Sequence, residues 1–408
     1  MQIQSVNPRR FDRVAISSVL GSPDSPSVWS AAPYNLANAL ERLGVSVVRI
    51  DAGLNRIELG LLALRYAAEG YGLPPSTEAI LRSPAARLIT ARRLAEKLRG
   101  TGVDGVIHTG TLDMHTRAAD TSLSHYLYCD DDWTFSLPNR PDAHRYGSAS
   151  VQAFALEDRT ALANVEHVFT FSRCLRDHFA AHFGLSPQRV SAVGCGMGTI
   201  EPYSGRKDYA SGRILFVAKH LFVQKGGLLL LEAFRIARET RSDITLSIVG
   251  DSRSRRFAAG QDGVEVHDRL SWPALQEMYR RAALLVQPML NDPWGQVFVE
   301  ALASRTPVVG LRRNGLPEII EDGRHGFLVD EPDPRQIART MLHALSHPER
   351  LAKMGSSGQQ HVLSNYTWDL VARRIAYGVT PADHDASSIS LDSHRQPDRT
   401  RPCPIVSH

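Results

Sequence analysis

Short apolar segments alternate with amphipathic segments of helical spacing through the second half of this sequence. By this pattern, residues 214–218 form a strand, 227–240 a helix and 244–250 a second strand. The alternation continues through predicted strands at 264–267, 284–288 and 307–311 and predicted helices at 272–282, 294–303 and 334–345. Strands separated by helices form βαβ units and a parallel sheet, which binds ligands at the carboxyl ends of its strands. The second half is therefore predicted to be a Rossmann-like domain.

The first half shows the same alternation less regularly. It contains predicted strands at 14–19, 45–50, 105–108, 123–129 and 168–171, a helix at 31–43 and a helical region at 56–99. A chain of 408 residues suggests two domains of roughly 150–200 residues each. The polar stretch 204–211 marks the predicted boundary, and the polar segment 381–408 is predicted to be a disordered tail. We expect an α/β protein with two Rossmann-like domains.

Composition excludes several classes of protein. With 43% hydrophobic and 22% charged residues the chain is typical of a globular protein, and a net charge of +4 does not indicate nucleic-acid binding. The first residues lack the apolar core of a signal peptide, and no apolar run approaches the roughly 20 residues that span a bilayer. The four cysteines form no CxxC pair, so they do not indicate a zinc site. We expect a cytoplasmic protein, either soluble or peripheral at the inner membrane face.

The later part of the helical region 56–99 is rich in basic side chains. These are Arg82, Arg87, Arg92, Arg93, Lys97 and Arg99. Two interpretations are open, because such side chains can form a solvated helix face or a basic surface that rests on anionic lipid. The second interpretation predicts peripheral contact with an anionic membrane.

The segment 291–310 carries the clearest chemical signal. It is predicted to be a loop, a helix opened by Asp292-Pro293, a tight turn and a buried strand, with a second carboxylate at Glu300. Carboxylates accept paired hydrogen bonds from vicinal hydroxyls, and the N-terminus of a helix attracts phosphate. One element could therefore hold a sugar and a diphosphate. Asp292 can equally be an ordinary helix cap, and Glu300 an exposed helix glutamate.

Polar or flexible residues also follow other predicted strands. Lys219 and Lys225 come after the strand at 214–218, and Gly21 comes after the strand at 14–19. They are either site residues or ordinary loop residues. The sequence Gly194-Cys-Gly-Met-Gly198 has the glycines of a dinucleotide loop, but the residues after it cannot open a long helix. A nicotinamide site is therefore not expected.

Seven motifs follow one another along the chain. They are Phe169-Thr-Phe-Ser, Phe216-Val-Ala-Lys, Gln224-Lys-Gly-Gly, Leu246-Ser-Ile-Val-Gly, Asp292-x7-Glu300, Gly315-Leu-Pro-Glu318 and Trp368-Asp-Leu-Val. This order resembles the retaining family 4 glycosyltransferases of the GT-B fold (glycosyl transferases group 1). The resemblance covers about residues 14–377, strongly in the second half and weakly in the first.

The resemblance implies two Rossmann-like domains that face each other across a cleft. Residues 1–205 would bind the acceptor, 206–366 the nucleotide-sugar donor, and 367–380 would form a helix that crosses back to the first domain. It also implies transfer with retention of anomeric configuration and no requirement for a metal or other cofactor.

The family motifs carry roles onto particular residues. Glu300 would accept hydrogen bonds from the ribose hydroxyls, and Lys219 and Lys225 would bind the diphosphate; Lys219 stands where arginine is commoner. Asp292 stands where the family has a glutamate that contacts the transferred sugar, which leaves the identity of that sugar open. Other donor-binding residues implied by the resemblance are Gly21, Gly295, Gln296, Val297 and Glu318. Backbone N–H groups of Trp294, Gly295 and Gln296 would serve the diphosphate or the sugar.

The catalytic residue of the first domain is less well defined. Asp130, at the end of the strand 123–129, is the candidate that the resemblance favours, with His125 and His108 as alternatives. Each histidine can also be a structural residue with satisfied hydrogen bonds. Asp131 and Asp132 are predicted to be solvated.

The prediction for function is a retaining glycosyltransferase that moves a hexose from a UDP- or GDP-sugar to a saccharide or lipid-linked acceptor, in glycan or polysaccharide biosynthesis. Nucleic acid is not an expected partner. The alternative is a catalytically weakened GT-B protein that binds a nucleotide sugar or a partner without turnover.

Overall fold

A computed structural model of the chain describes residues 9–115, 117, 122–140, 142–219, 221–250 and 252–378. The predicted tail at 381–408 lies outside these residues. The chain divides into two compact units. The first comprises the chain up to Pro138, Asp142–Cys195 and the chain from Trp368, and the second contains Gly196–Thr367.

Both units are built from parallel strands joined by helices. The strands are β1 Arg13–Ser18, β2 Ser46–Asp51, β3 Gly105–Thr109, β4 Ser124–Cys129, β5 His167–Thr170, β6 Val190–Ala192, β7 Arg213–Val217, β8 Thr245–Val249, β9 Val264–His267, β10 Leu284–Val286, β11 Val308–Leu311 and β12 Gly326–Val329. The helices are α1 Ala32–Arg42, α2 Arg56–Tyr66, α3 Thr77–Arg82, α4 Pro84–Leu98, α5 Trp133–Ser136, α6 Ser148–Ala163, α7 Arg173–Phe183, α8 Gly227–Thr240, α9 Arg255–Ala258, α10 Trp272–Arg281, α11 Gln296–Ala303, α12 Leu316–Ile319, α13 Pro334–Leu345, α14 Pro348–Asn365 and α15 Trp368–Tyr377.

Each unit contains one parallel sheet. The strand order is β2-β1-β3-β4-β5-β6 in the first unit and β12-β11-β10-β7-β8-β9 in the second. Each order reverses direction beside the first strand of its unit, as in a doubly wound sheet, so ligand-binding loops gather at the carboxyl edge there. The predicted α/β class with two Rossmann-like halves is confirmed.

Apolar patterning explains why these segments form layers. All residues of β10 and of β11 are buried, as expected for central strands covered by helices on both faces. Helix α13 buries Ile337, Met341 and Ala344, three or four positions apart, and leaves its other face polar. The core of the second unit lies between such helices and its sheet.

The basic side chains of the region 56–99 are mostly used inside the first unit. The guanidinium of Arg87 is buried and lies 2.8 Å from the Asp158 carboxylate, and Arg82 pairs with Glu78 at 2.9 Å. Arg93 donates to Glu58, and the Lys97 ammonium donates to the Asp51 carbonyl at 2.7 Å. Arg92 and Arg99 are exposed. The basic surface that this region could present to an anionic membrane is therefore smaller than the sequence suggests. Membrane contact stays a prediction.

No helix in the described part of the chain combines the length and the apolar character needed to cross a membrane.

Candidate functional site

Four charged side chains of the second unit lie near the carboxyl edge of its sheet: Lys219, Lys225, Asp292 and Glu300. They are called the edge cluster below. Lys219 follows β7 with a left-handed backbone (φ +51°). This conformation is accommodated by Gly250, where a Cβ would lie 2.5 Å from the Lys219 carbonyl oxygen. The loops after β7 and β8 are thus packed together at the edge.

Lys225 and Asp292 form the ion pair at the centre of the edge cluster. The Lys225 ammonium lies 3.1 Å from Asp292 Oδ2, and only 8% of the lysine side chain is exposed. The loop is held by backbone bonds from the Met289 N–H to the Lys225 carbonyl (3.0 Å) and from the Asn291 N–H to the Gln224 carbonyl (2.8 Å). Gly226 permits this approach, since a Cβ there would meet Pro288 at 2.7 Å.

Asp292 organises a turn that precedes α11. Its Oδ1 accepts the N–H of Gly295 at 2.9 Å and that of Trp294 at 3.3 Å. Gly295 has φ +78°, so the helix begins at Gln296. The helix predicted at 294–303 thus begins two residues later than predicted. The prediction that Asp292-Pro293 opens it is wrong, because the left-handed Gly295 separates their turn from the helix. The N–H groups of Trp294 and Gly295 are used by Asp292, whereas Gln296 and Val297 stand in the first turn, where N–H groups have no intrahelical acceptor.

Glu300 is buried on α11 and is only 4% exposed. Its Oε2 accepts the hydroxyl of Tyr279 at 2.7 Å. Gly198 is also adjacent, since a Cβ there would overlap Glu300 Oε1 and touch the Trp272 ring at 3.3 Å. The alternative that Glu300 is an exposed helix glutamate is therefore wrong, and a buried carboxylate is costly without a polar partner. Tyr279 provides one within the protein itself.

The charges of the edge cluster influence each other's protonation. Burial raises the pKa of Glu300, and the Tyr279 hydrogen bond and the two lysines only partly offset it. Burial also acts to raise the pKa of Asp292, but Lys225 and the two backbone N–H donors outweigh it and the pKa is lowered. Desolvation, then the like charge of Lys225, lowers the pKa of Lys219. An added anion would stabilise the protonated lysines.

The Gly315-Leu-Pro-Glu318 turn is attached to the Asp292 turn. The Asn314 side chain donates to the Asp292 carbonyl at 3.1 Å, and the Gly315 N–H donates to the Pro293 carbonyl at 2.9 Å. The Tyr366 hydroxyl donates to the Glu318 carbonyl at 2.7 Å. Glu318 itself lies in the first turn of the four-residue α12. The turn therefore borders the edge cluster through its backbone.

Sequence reasoning missed Tyr279 and Gly198. The signal for Tyr279 is its spacing four positions after Leu275 on the buried face of α10. Gly198 belongs to the glycine-rich sequence that does not form a dinucleotide loop. There the Gly196 carbonyl accepts the Gln296 side-chain amide at 3.1 Å. Gly198 lets the backbone approach α11 closely.

In the first unit, Gly21 and Asp130 follow β1 and β4. Gly21 has φ +129°, and a Cβ there would lie 2.9 Å from Val28. Asp130 is partly exposed and comes directly after Cys129. Burial, and then the like charge of Asp130, raises the pKa of the neighbouring Asp131. Both residues are thus at carboxyl ends of strands, and their roles stay predictions.

The expectation of solvation is wrong for Asp132, whereas Asp131 is partly exposed. Asp132 is 2% exposed. It caps α5 through the Thr134 N–H at 2.7 Å and lies 3.0 Å from His178 Nε2. Burial acts to raise its pKa, but His178 and Thr134 lower it overall. The Asp132 carboxylate thus joins the start of α5 to His178 of α7 inside the unit.

His108 and His125 belong to a buried hydrogen-bonded chain. His108 Nδ1 lies 2.9 Å from Asp113 Oδ1, and His108 Nε2 lies 2.9 Å from His125 Nδ1. The Ser17 hydroxyl donates to Asp113 Oδ2. Both histidines are less than 9% exposed. Their ring nitrogens make hydrogen bonds inside the unit, as expected for the structural role that the sequence offered as an alternative.

Among the described residues, no group of three or more His, Cys, Asp or Glu side chains could hold a metal ion.

Residues 206–361 match the family model described as glycosyl transferases group 1. Relatives of this chain include two proteins named D-inositol 3-phosphate glycosyltransferase. The protein from Streptomyces scabiei is 31% identical over 38% of this chain and 37% of the relative. The protein from Corynebacterium kroppenstedtii is 29% identical over 52% of each. The chain thus spans between about a third and a half of the length of these relatives.

Solved structures share the fold over most of the chain. Sucrose-phosphate synthase from Thermosynechococcus elongatus has a TM-score of 0.68 at 16% identity, covering 92% of this chain and 100% of that protein. WaaG, a glycosyltransferase involved in lipopolysaccharide biosynthesis, has a TM-score of 0.65 at 15% identity, covering 90% and 100%. Anabaena HepE in complex with UDP and glucose has a TM-score of 0.60 at 13% identity, covering 93% and 100%. The fold is GT-B, and residues 206–361 match the model of glycosyl transferases group 1.

Proposed function

We propose that this protein is a retaining glycosyltransferase that moves a hexose from a UDP- or GDP-sugar to a saccharide or lipid-linked acceptor in glycan or polysaccharide biosynthesis. The observation that carries the proposal is the edge cluster, which lies inside the segment that matches glycosyl transferases group 1. Two lysines, a carboxylate on the turn before a helix and a buried carboxylate on that helix are the groups that a diphosphate and two sets of hydroxyls require.

In this proposal the donor diphosphate lies against Lys219, Lys225 and the first turn of α11. Its entry displaces Lys225 from part of its contact with Asp292, and the freed Asp292 oxygen accepts hydroxyls of the transferred sugar. Glu300 accepts the ribose hydroxyls while Tyr279 orients its other oxygen. Gly295, Gln296 and Val297 supply backbone close to the phosphates, and Glu318 borders the same site.

The reaction breaks the bond between the anomeric carbon and the diphosphate oxygen and forms a bond from that carbon to the acceptor oxygen on the same face. The acceptor proton passes to the departing diphosphate. Negative charge grows on the diphosphate as the bond breaks, so cations placed before the reaction stabilise the transition state more than the ground state. Of the first-unit residues, Asp130 is assigned the catalytic role in this proposal and Gly21 the approach of backbone to the donor phosphates. The proposal includes independence of metal ions, since two lysine ammonium groups would take the place of a metal cation at the diphosphate, and unchanged turnover in EDTA would agree with it.

The test is release of free UDP or GDP from a panel of nucleotide sugars, combined with donor-dependent shifts in melting temperature. Glu300→Ala and Lys225→Ala should each cost about 2–4 kcal/mol of transition-state stabilisation. Lys353→Ala, on the exposed side of α14, is the matched control and should retain turnover. Near-native turnover of both site variants would refute the site, and failure of every donor to bind would refute the function. The anomeric configuration of the product, read by NMR, tests retention.

The alternative is a GT-B protein that binds a nucleotide sugar or a partner without turnover. It is favoured by the fact that charged groups of the edge cluster already have partners within the protein. Lys225 is paired with Asp292, and Glu300 with Tyr279. A donor-dependent melting shift without any release of nucleoside diphosphate would select this alternative.

A further inference from the structure

Lys207 lies outside the edge cluster, in the segment that leads from Gly198 into β7. Its ammonium donates to the Tyr279 carbonyl at 2.8 Å, to the Ser304 carbonyl at 3.2 Å and to the Thr306 hydroxyl at 2.6 Å. An ammonium has three donors, so these three oxygens can use all of them. The lysine is therefore engaged inside the second unit, although the sequence gave no reason to single it out.

The oxygens that Lys207 contacts stand at the ends of two helices. Tyr279 lies in the last turn of α10, and Ser304 is the residue at which α11 ends. Thr306 joins the two ends, because its hydroxyl donates to the Tyr279 carbonyl at 2.7 Å. Carbonyls in the last turn of a helix lack intrahelical donors and carry partial negative charge. One cation thus stabilises both helix ends and fixes the distance between them.

These two helices carry the buried pair of the edge cluster. The Tyr279 hydroxyl donates to Glu300 Oε2 at 2.7 Å, and both side chains are less than 5% exposed. On α11 the Ser304 N–H donates to the Glu300 carbonyl at 3.1 Å. Lys207 therefore holds the backbone on both sides of the Tyr279–Glu300 hydrogen bond. Such a bond weakens steeply when its distance or angle changes, so its geometry depends on how α10 and α11 are held together.

We propose that Lys207 is a positioning residue of the donor site. It fixes the ends of α10 and α11, and Tyr279 then holds Glu300 in the orientation that accepts the ribose hydroxyls. The inference rests on the proposed function, since the ribose belongs to the donor. A contact that is equally strong in the bound substrate and in the transition state changes KM with little effect on kcat. Loss of Lys207 should therefore raise the donor KM.

The first test is calorimetric titration of the full chain with UDP and with GDP. Lys207→Met keeps the apolar stem and removes the ammonium. It should weaken binding of the preferred nucleotide about tenfold, as expected for the loss of one hydrogen bond. Thr306→Val removes the hydroxyl between the helix ends and should act in the same direction. Arg206→Met, with an exposed side chain in the same segment, is the matched control and should bind normally. Unchanged affinity in both Lys207→Met and Thr306→Val overturns the proposal.

A 2′-deoxynucleoside diphosphate separates the positioning of Glu300 from a general loss of structure. This ligand lacks one of the two hydroxyls that are assigned to Glu300. Lys207→Met should therefore weaken its binding less than it weakens binding of the ribonucleotide. Lys207→Arg, which restores a cation, should recover affinity for the ribonucleotide. An equal loss for the two ligands in Lys207→Met would give Lys207 a purely structural role and would reject its action through Glu300.

Unfolding in denaturant tests the link between Lys207 and Tyr279 without any ligand. Tyr279→Phe removes the hydroxyl that reaches Glu300. If Lys207 holds this bond in place, Tyr279→Phe should lower the free energy of unfolding less in Lys207→Met than in the natural protein. Strictly additive losses would overturn the proposal. A natural protein that binds neither UDP nor GDP would instead refute the proposed function, so the two failures are distinguishable.

Discussion

Lys225 and Asp292 depend on each other because both are largely withdrawn from solvent, with 8% and 20% of their side chains exposed. Removing one partner of such a pair leaves the other charge in place without compensation. We expect Lys225→Met to lower the free energy of unfolding by about 2–3 kcal/mol. Adding Asp292→Asn should recover much of this loss. Denaturant unfolding of the two single variants and the double variant measures the coupling, and strictly additive effects would contradict it.

The buried His325 should make the folded protein less stable in acid. It is 3% exposed, its Nδ1 accepts the Glu321 N–H at 3.2 Å, and it stacks on His361 at 4.5 Å. Burial, then the adjacent His361, lowers the pKa of His325 to about 4. Between pH 6.5 and 4 the unfolded chain therefore binds a proton that the folded chain does not. The stabilisation is complete above pH 6.5 and is lost as the pH falls toward 4.

The His325 contribution amounts to about 2–3 kcal/mol over that interval. His325→Asn keeps an acceptor for the Glu321 N–H but does not titrate, so its free energy of unfolding should depend less on pH. Chemical unfolding at pH 7, 6, 5 and 4 compares the two proteins. Parallel pH profiles would show that His325 is not the responsible group.

At the level of single residues, the sequence indicates Lys225 by its position after the strand 214–218. It indicates Glu300 because a carboxylate within an apolar helix needs a polar partner. It does not indicate that the partners of these two residues are Asp292 and Tyr279. Such pairings join residues 67 and 21 positions apart, and only the packing of loops and helices on the sheet brings them together.

Among the elements, the turn 292–295 and α11 depend most on one glycine. Gly295 has φ +78°, and a Cβ would lie 2.7 Å from the Phe298 ring and 2.9 Å from Met289. Gly260 has a similar φ of +74° with open space around it. Gly260→Ala should therefore cost only the backbone strain, about 1 kcal/mol. Gly295→Ala should cost more and weaken donor binding. Melting temperature and donor titration check both variants, and equal destabilisation would argue against crowding.

Strands and long helices could be predicted because short apolar runs and the 3.6-residue period are local patterns. The start of α11 could not, since Asp-Pro is a common way to open a helix and the left-handed Gly295 depends on Phe298 and Met289. The region 56–99 was predicted as helical, but its division into α2, α3 and α4 depends on caps at Asn55, Ser76 and Ser83. Local signals identify the elements, and tertiary contacts set their ends.

For the whole molecule, α15 is the last described element of the chain but belongs to the first unit. It packs against α1, Arg42 lies 2.6 Å from Asp369, and Arg374 donates to the Val193 carbonyl at 2.9 Å. Ile375→Asp places a charge at a fully buried position, so hydrogen exchange should accelerate in β1 and α1 and stay unchanged in β7 and α8. Arg373→Asp, on the exposed side of α15, is the control. Uniform acceleration in both units would contradict this assignment.

The position of α15 also has a consequence for synthesis on the ribosome. The surface of α1 that α15 covers emerges early, but its cover is made only after Gly196–Thr367 has been translated. At roughly 5–20 residues per second, this delay lasts on the order of ten to thirty seconds. During that time the nascent first unit presents an apolar helix face, which makes it a substrate for chaperones that bind near the exit tunnel.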